Sequence, residues 1–165
     1  MRRRHTLTLI GAAALSGCGF QLRQAPKFAF DAVRLLGSDN STVSVALRRE
    51  LRQYGVRVLT SADAAAATAP VVMRVLLDQR ERVVVGQTAA GQVRELQLRA
   101  RFQFNLMSRD DRVLIDDTEL LLERDLSFNE TQVLAKDAEE QLLYRDMTND
   151  IVQQVVRRLA AVDKV

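Results

Sequence analysis

Residues 96–106 read LQLRARFQFNL, and apolar and polar side chains alternate in this stretch without a break. Successive side chains of a β-strand point to opposite faces, so the pattern predicts a long strand with one buried and one solvated face. The residues expected to face the core are Leu96, Leu98, Ala100, Phe102, Phe104 and Leu106. The residues expected to face away are Gln97, Arg99, Arg101, Gln103 and Asn105. We therefore expect a sheet with one covered and one polar face.

Two further strands are predicted beside this one. The segment 71–85 begins with the same alternation, with Val71, Met73, Val75 and Leu77 expected on one side and Arg74, Asp78, Arg80 and Arg82 on the other. The glycine-bracketed segment 86–91 predicts a hairpin loop, and residues 108–111 predict a turn into a third strand over 113–126. These three strands form a predicted antiparallel meander. They exceed the usual length of about five to six residues, so we expect the sheet to extend beyond its helices.

The segment before the meander has the pattern of a β-α-β unit. A strand is predicted over 28–36, an amphipathic helix over 41–54 and a short strand over 56–60. Asn40 or Ser41 can cap the helix, and Gly55 can close it in the left-handed conformation. A strand–helix–strand order favours parallel pairing of the two strands. The alanine-rich segment 61–70 is expected to be a surface connection or one turn of helix, without function.

A long helix is predicted over 131–162, with a capping-box start from Ser127 and Glu130 or from Asn129 and Gln132. Its buried stripe is expected to contain Tyr144, Met147, Ile151, Val155, Leu159 and Val162. The predicted fold class is α+β. We expect a two-layer sandwich in which two helices pack on one face of a four- to five-stranded mixed sheet, ordered β-α-β, then the antiparallel meander, then the long C-terminal helix. The other sheet face should be polar and arginine-rich, open to water or to a partner.

The N-terminal segment has the pattern of a secretory signal peptide. Three arginines, Arg2 to Arg4, precede an apolar run of about ten residues, which is too short to span a bilayer. Leu15, Ser16 and Gly17 then precede Cys18 and resemble a bacterial lipobox, in which the thiol is joined to diacylglycerol after cleavage. We therefore predict a signal peptide over 1–17, a lipidated tether over 18–27 attached to the membrane through Cys18, and a single domain over 28–165. By resemblance to lipoprotein sorting, the residue that follows Cys18 favours the outer membrane.

Removal of the signal peptide changes the charge and the available chemistry. The 24 basic residues include the three leader arginines, so the mature chain would carry 21 basic and 21 acidic residues. Such a balance gives no strong electrostatic argument for nucleic acid as a partner. The only histidine, His5, lies in the leader, and the only cysteine is the predicted lipid carrier. This composition excludes Cys/His zinc sites, Ser-His-Asp triads and Cys-His nucleophiles in the mature chain, and we expect no metal or cofactor.

Three groups of residues carry a resemblance to a known family. The first is Cys18-Gly19-Phe20-Gln21-Leu22-Arg23, and the second is Gly91-Gln92 with Glu95 and Gln97. The third is Val133-Leu134-Ala135-Lys136-Asp137, followed by Glu139, Met147 and Arg157-Arg158-Leu159. With the order of the predicted elements, these residues resemble the LPS-assembly lipoprotein family, LptE. The resemblance implies a non-enzymatic plug inside the outer-membrane β-barrel LptD, which it helps to assemble, and a role in receiving lipopolysaccharide.

The phosphates of lipopolysaccharide require lysine or arginine, so the resemblance also suggests candidate binding residues. Lys136 is the first candidate because it lies in the matched motif near a helix N-terminus, which favours anions. Arg94, Arg99 and Arg101 are the second set, along one strand on or near the open face. The alternative is that Lys136 pairs with Glu140 one helical turn later and that the arginines are a solvated surface.

Two other functions compete with this interpretation. One is an auxiliary lipoprotein of an ABC-type envelope system for lipid transport. The other is a periplasmic hydrolase that uses paired carboxylates, for which the candidates are Asp110-Asp111, Asp116-Asp117 and Glu139-Glu140. Adjacent strand residues point to opposite faces, and the first pair lies in a predicted turn. No glycine-rich phosphate loop accompanies these pairs, so we interpret them as solubilising surface.

Overall fold

A computed structural model describes residues 25–37, 40–128 and 132–165 of the chain. The predicted signal peptide, Cys18 and most of the tether lie outside the described residues. The strands are β1 (Ala32–Leu36), β2 (Arg57–Leu59), β3 (Val71–Gln87), β4 (Val93–Ser108) and β5 (Val113–Ser127). The helices are α1 (Thr42–Gln53) and α2 (Val133–Ala160), and a short 3-10 helix spans Ala64–Thr68.

The five strands form one mixed sheet in the order β2-β1-β3-β4-β5. β1 runs parallel to both β2 and β3, whereas β3, β4 and β5 pair antiparallel. The structure therefore confirms the β-α-β unit, the three-stranded meander and the α+β class. β1 begins at Ala32, four residues later than the sequence suggested. β3 and β4 are 17 and 16 residues long, which confirms the prediction of unusually long strands.

The local sequence explains why α1 begins and ends where it does. Ser41 is the N-cap residue, and its side-chain oxygen accepts a hydrogen bond from the N–H of Ser44 at 3.3 Å. Gly55 follows the helix with φ +80°, a left-handed conformation that glycine adopts readily. The apolar stripe of α1 is buried, with Val43, Leu47 and Leu51 each at most 3% exposed. The N-cap, the terminating glycine and the apolar stripe predicted from the sequence are thus all observed in the structure.

The core lies between the helices and the face of β4 predicted to be apolar. Every residue of that set is buried, and Phe102 and Phe104 are fully buried with their ring centroids 5.8 Å apart. The predicted stripe of α2 covers them: Tyr144, Met147, Ile151, Val155 and Leu159 are buried, and Val162 is partly buried. Burial of apolar surface contributes about 25 cal/mol for each Å² removed from water, so this layer is the main source of stability.

One predicted strand face is wrong beyond residue 75. The pairing of β3 with β4 shifts register between Val75 and Leu77, because Leu76 is an extra residue that no β4 residue opposes. The shift exchanges the two faces as far as Val84, after which the pairing shifts again before Gly86. Asp78, Arg80 and Arg82 therefore lie opposite Phe102, Ala100 and Leu98 on the helix-covered face, and Leu77 lies opposite Gln103 on the other face.

The predicted start of the C-terminal helix also needs correction. α2 begins at Val133, and Gln132 occupies the N-cap position without a side-chain capping hydrogen bond. Ser127 still belongs to β5, six residues before the helix begins. Asn129 and Glu130 lie outside the described residues. Among the described helices, none combines the length and apolar character that a bilayer span requires.

Candidate functional site

The sheet face that points away from both helices, here called the open face, is a ladder of polar contacts between β4 and β5. Gln97 donates to Asp125 at 3.3 Å, and Asn105 donates to Asp117 at 2.7 Å. Between these two contacts lie Arg99 and Arg101. The polar residues of β4 from Gln97 to Asn105 on this face are half-buried by their neighbours. The face is thus polar, as predicted, and its groups are largely satisfied within the sheet.

Arg99 and Arg101 are paired with carboxylates of neighbouring strands. Arg99 Nε lies 2.9 Å from Glu123, and Arg99 also donates to Gln97 at 2.7 Å. Arg101 Nη1 lies 3.2 Å from Glu119, and Arg101 Nε lies 3.9 Å from Glu81. The two arginine side chains are 32% and 31% exposed. A phosphate that bound either guanidinium from solution would compete with a carboxylate already in place.

Lys136 makes a different pair from the one predicted. Its Nζ lies 2.8 Å from Glu139 and 3.1 Å from Ser127 Oγ, and its side chain is only 15% exposed. The predicted partner Glu140 instead lies 3.1 Å from Arg82 Nη1. The register shift in β3 explains the difference, because it turns Arg82 towards α2 and supplies Glu140 with a cation.

Arg94 lies at the same end of the sheet as Lys136. The pairing of β3 with β4 skips Arg94, and its carbonyl accepts a hydrogen bond from the N–H of Phe128 at 2.8 Å. Ser127, which contacts Lys136, pairs with Glu95 in the next position of β4. Arg94 is exposed, and its side chain makes no ion pair with any described residue. The candidates therefore divide into Lys136 and Arg94 at the strand end, and Arg99 and Arg101 on the open face.

An exposed apolar pair lies beside Lys136. Leu134 is 86% exposed and Val133 is 43% exposed, although both belong to the first turn of α2. A leucine this exposed at a helix start does not contribute to the core. The sequence contained a signal for Leu134, which does not fit the stripe that begins at Tyr144, whereas Val133 lies in line with that stripe. The strand end thus combines a shielded cation, an exposed cation and an apolar surface.

The covered face holds a polar cluster that sequence reasoning missed. Asp78 accepts a hydrogen bond from the N–H of Val43 at 3.1 Å, which places a carboxylate at the N-terminus of α1. Tyr144 Oη donates to the carbonyl of Glu81 at 2.6 Å. Burial raises the pKa of Tyr144, and the nearby charge of Glu140 raises that pKa further. These contacts depend on the register shift, and no local pattern in the sequence predicts that shift.

Carboxylates from two of the three candidate pairs are engaged by neighbouring side chains. Glu139 and Glu140 diverge to Lys136 and Arg82, and Asp117 is engaged by Asn105. Within the described parts of the chain, no group of three or more His, Cys, Asp or Glu side chains is arranged to hold a metal ion. The arrangement is that of ion-paired surface residues.

Comparison with known families and relatives gives a consistent result. The family model described as LptE, lipopolysaccharide-assembly, matches residues 30–159. The LPS-assembly lipoprotein LptE of Pectobacterium atrosepticum is 30% identical over 169 residues, which cover 99% of this chain and 89% of the relative. The protein of the same name from Photorhabdus laumondii is 27% identical over 175 residues, with 98% of this chain and 88% of the relative covered.

Solved structures agree with the fold. The solution structure of an uncharacterized lipoprotein B from Nitrosomonas europaea has a TM-score of 0.71 and 30% identity, and the match covers 87% of this chain and 91% of that one. The rare lipoprotein B from Shewanella oneidensis has a TM-score of 0.64 and 20% identity over 79% of this chain and 94% of that one. The chain therefore belongs to the LptE family of lipoproteins, which function in lipopolysaccharide assembly.

Proposed function

We propose that this chain is the plug subunit of the outer-membrane LPS translocon. In this proposal it occupies the lumen of the LptD β-barrel, assists assembly of that barrel and receives lipopolysaccharide for insertion into the outer leaflet. The role is that of a non-enzymatic assembly factor, with no nucleic-acid partner. Family membership favours this role over an auxiliary subunit of an ABC-type lipid transporter.

The observation that carries the proposal is the open face. The lumen of a wide outer-membrane barrel is polar, and barrels closed by a plug are a known class. A face whose arginines already have carboxylate partners can lie against such a wall without leaving an isolated charge, which would cost several kcal/mol. Arg99 with Glu123, and Arg101 with Glu119, provide this internal neutrality.

The membrane anchor in the proposal is Cys18. Cleavage after residue 17 and acylation of Cys18 would fix the orientation of the domain on the periplasmic side of the outer membrane. A single acyl chain binds membranes only marginally, whereas two or more give stable attachment. Mass spectrometry of the native protein tests this step. We expect a mass above that of the polypeptide from residue 18, and a purely polypeptide mass would contradict the anchor.

A pull-down of the lipid-anchored protein from detergent-solubilised outer membranes tests the plug role. We expect a large, heat-modifiable β-barrel to co-purify in a one-to-one complex. Recovery of an inner-membrane ATPase complex would instead support the ABC-transport alternative. A charge reversal on the open face, Glu119→Lys, should lower barrel recovery, because it places like charges beside Arg101. Unchanged recovery would show that the open face does not contact the barrel.

Reception of lipopolysaccharide is assigned to the strand end. Arg94 supplies an exposed cation for lipid A phosphates, Lys136 supplies a second one for which a phosphate must compete with Glu139, and the exposed Leu134 supplies apolar contact beside them. Lys136→Glu should weaken binding of lipopolysaccharide by about tenfold or more, since a hydrogen bond to a charged group contributes about 1.5–3 kcal/mol. Lys164→Glu, at an exposed C-terminal position, makes the same charge change and is the control. Equal binding of lipopolysaccharide by both variants and the unmodified chain would show that Lys136 does not belong to the binding site.

A further inference from the structure

A cleft between α1 and α2 collects three arginines from three separate elements. Arg49 comes from α1, Arg145 from α2 and Arg80 from β3 beneath them. The cleft encloses about 380 Å³, a volume within the range of small-molecule sites, which is about 300–1,000 Å³. Its remaining polar lining consists of hydroxyl and amide side chains, including Thr148 and Asn149, and none of the described carboxylates lines it.

Arg80 is held in place as the floor of this cleft. Its Nη2 donates to Thr148 Oγ1 at 3.0 Å, and its guanidinium lies 4.9 Å from the centre of the Tyr144 ring. Thr148 Oγ1 in turn donates to the carbonyl of Tyr144 at 2.8 Å. A guanidinium has five N–H donors, and the contact with Thr148 uses one of them. The group is therefore pre-oriented and retains donors for a ligand.

The three arginines of the cleft have no direct carboxylate partner among the described residues. Arg49, Arg80 and Arg145 form no ion pair with any described carboxylate. Asp78, which precedes Arg80 by two residues on the same face of β3, is engaged by the N–H of Val43. Three guanidinium groups around one concavity favour an anion that accepts several forked hydrogen bonds. A phosphate group meets this requirement, and Val45 and Ala46 add an apolar wall for a group attached to it.

We propose that this cleft is a phosphate-binding site that accepts either a phosphomonoester on the headgroup of a lipid or free inorganic phosphate. The site is distinct from the strand end. Arg145 follows Lys136 by nine positions on α2, which corresponds to about 13 Å along a helix axis. The cleft also lies on the covered side of the sheet, opposite to the face that carries Arg99 and Arg101. The inference is therefore independent of the barrel partner and of Lys136.

The test uses the full mature chain in detergent micelles, labelled with ¹⁵N so that arginine side-chain N–H signals are visible. Three probes are titrated separately: inorganic phosphate, glucosamine 1-phosphate, and lipid A in mixed micelles. We expect saturable shifts of the Arg80 signal. The double variant Arg49→Gln/Arg145→Gln should raise the Kd by about tenfold or more. The control Arg52→Gln/Arg157→Gln removes the same charge from exposed positions of the same two helices and should change the Kd less than about twofold.

Equal thermal unfolding of both double variants shows that the comparison is between folded proteins. Saturation by all three probes with similar Kd identifies a free-phosphate site, and tighter binding of lipid A identifies a lipid headgroup. The proposal is overturned if no phosphate probe saturates, or if the control weakens binding as much as the cleft variant. Loss of binding in Lys136→Glu with retention in the cleft variant would also overturn it.

Discussion

The two faces of β4 differ in how they are built, although they alternate along a single strand. On the covered face, apolar side chains pack against α2, and Phe102 is fully buried. On the open face, the residues between them are half-buried and make hydrogen bonds and ion pairs across to β5. Apolar burial contributes a large net free energy, whereas partly exposed ion pairs contribute little. The covered face therefore supplies stability, and the open face supplies a neutral polar surface that costs little to maintain.

The largest expected effect is a core truncation compared with its neighbour on the other face. Phe102→Ala should lower the free energy of unfolding by about 3–5 kcal/mol, because it removes a buried ring and leaves a cavity. Gln103→Ala, one position later on the open face, should change it by less than about 1 kcal/mol. Urea unfolding of the two variants measures both values. Similar losses in the free energy of unfolding at the two positions would show that the open face contributes as much stability as the covered face.

The next effect concerns the point where β3 exchanges its faces. Gly37 has φ +105°, and a Cβ at this position would overlap the carbonyl oxygen of Val75, the last residue before the register shift. Gly37→Ala should cost roughly 2–4 kcal/mol from backbone strain and the overlap together.

Gly55→Ala is the matched control, since Gly55 also has a positive φ but has open space around it. It should cost only about 1 kcal/mol. Thermal unfolding of the pair separates strain from overlap. Equal unfolding temperatures for the two variants would mean that Val75 moves aside at little cost and that the backbone at the register shift deforms easily.

A smaller effect should appear at the polar cluster of the covered face. Tyr144→Phe removes the hydrogen bond to the Glu81 carbonyl and should cost about 1 kcal/mol at pH 7. Burial raises the pKa of Tyr144 in the folded state, so the folded protein retains this proton more strongly than the unfolded chain. The resulting stability is fully present below the unfolded pKa of about 10 and is lost as pH rises through the folded value. The difference in free energy of unfolding between the unmodified chain and Tyr144→Phe should therefore become smaller above pH 10. A constant gap would contradict this link between burial and titration.

The smallest effect is expected on the open face. Arg101→Gln breaks a pair with Glu119 in which both side chains are about a third exposed, and should change the free energy of unfolding by about 0–1 kcal/mol. Unfolding in low and in high salt measures this contribution, because salt screens exposed pairs. A loss above about 2 kcal/mol at this position would show that the open face also carries stability.

Much of the fold could be predicted because local signals and tertiary packing agree. The unbroken alternation of residues 96–106 predicts β4, and Ser41 and Gly55 mark the limits of α1. The register shift at Leu76 could not be predicted. An extra residue in a strand depends on how the partner strand aligns, and that information lies outside the segment itself.

The candidate site was predicted only in part, for the same reason. The alternative to lipopolysaccharide binding paired Lys136 with Glu140, but Arg82 reaches Glu140 from β3, and Lys136 pairs with Glu139. Sequence spacing along a helix gives the carboxylates within reach, and tertiary contacts decide between them. The arginine cleft was missed because Arg49, Arg80 and Arg145 are distant in sequence and their grouping depends on the shifted register.

The extra residue Leu76 has a consequence for evolution within the family. In a relative that lacks one residue at this place in β3, the side chains equivalent to Asp78, Arg80 and Arg82 would point outwards, although no other position had mutated. A single gap in an alignment at this position therefore says more about which face carries these side chains than many substitutions do. Relatives that retain the insertion are the ones expected to share the chemistry between the two helices.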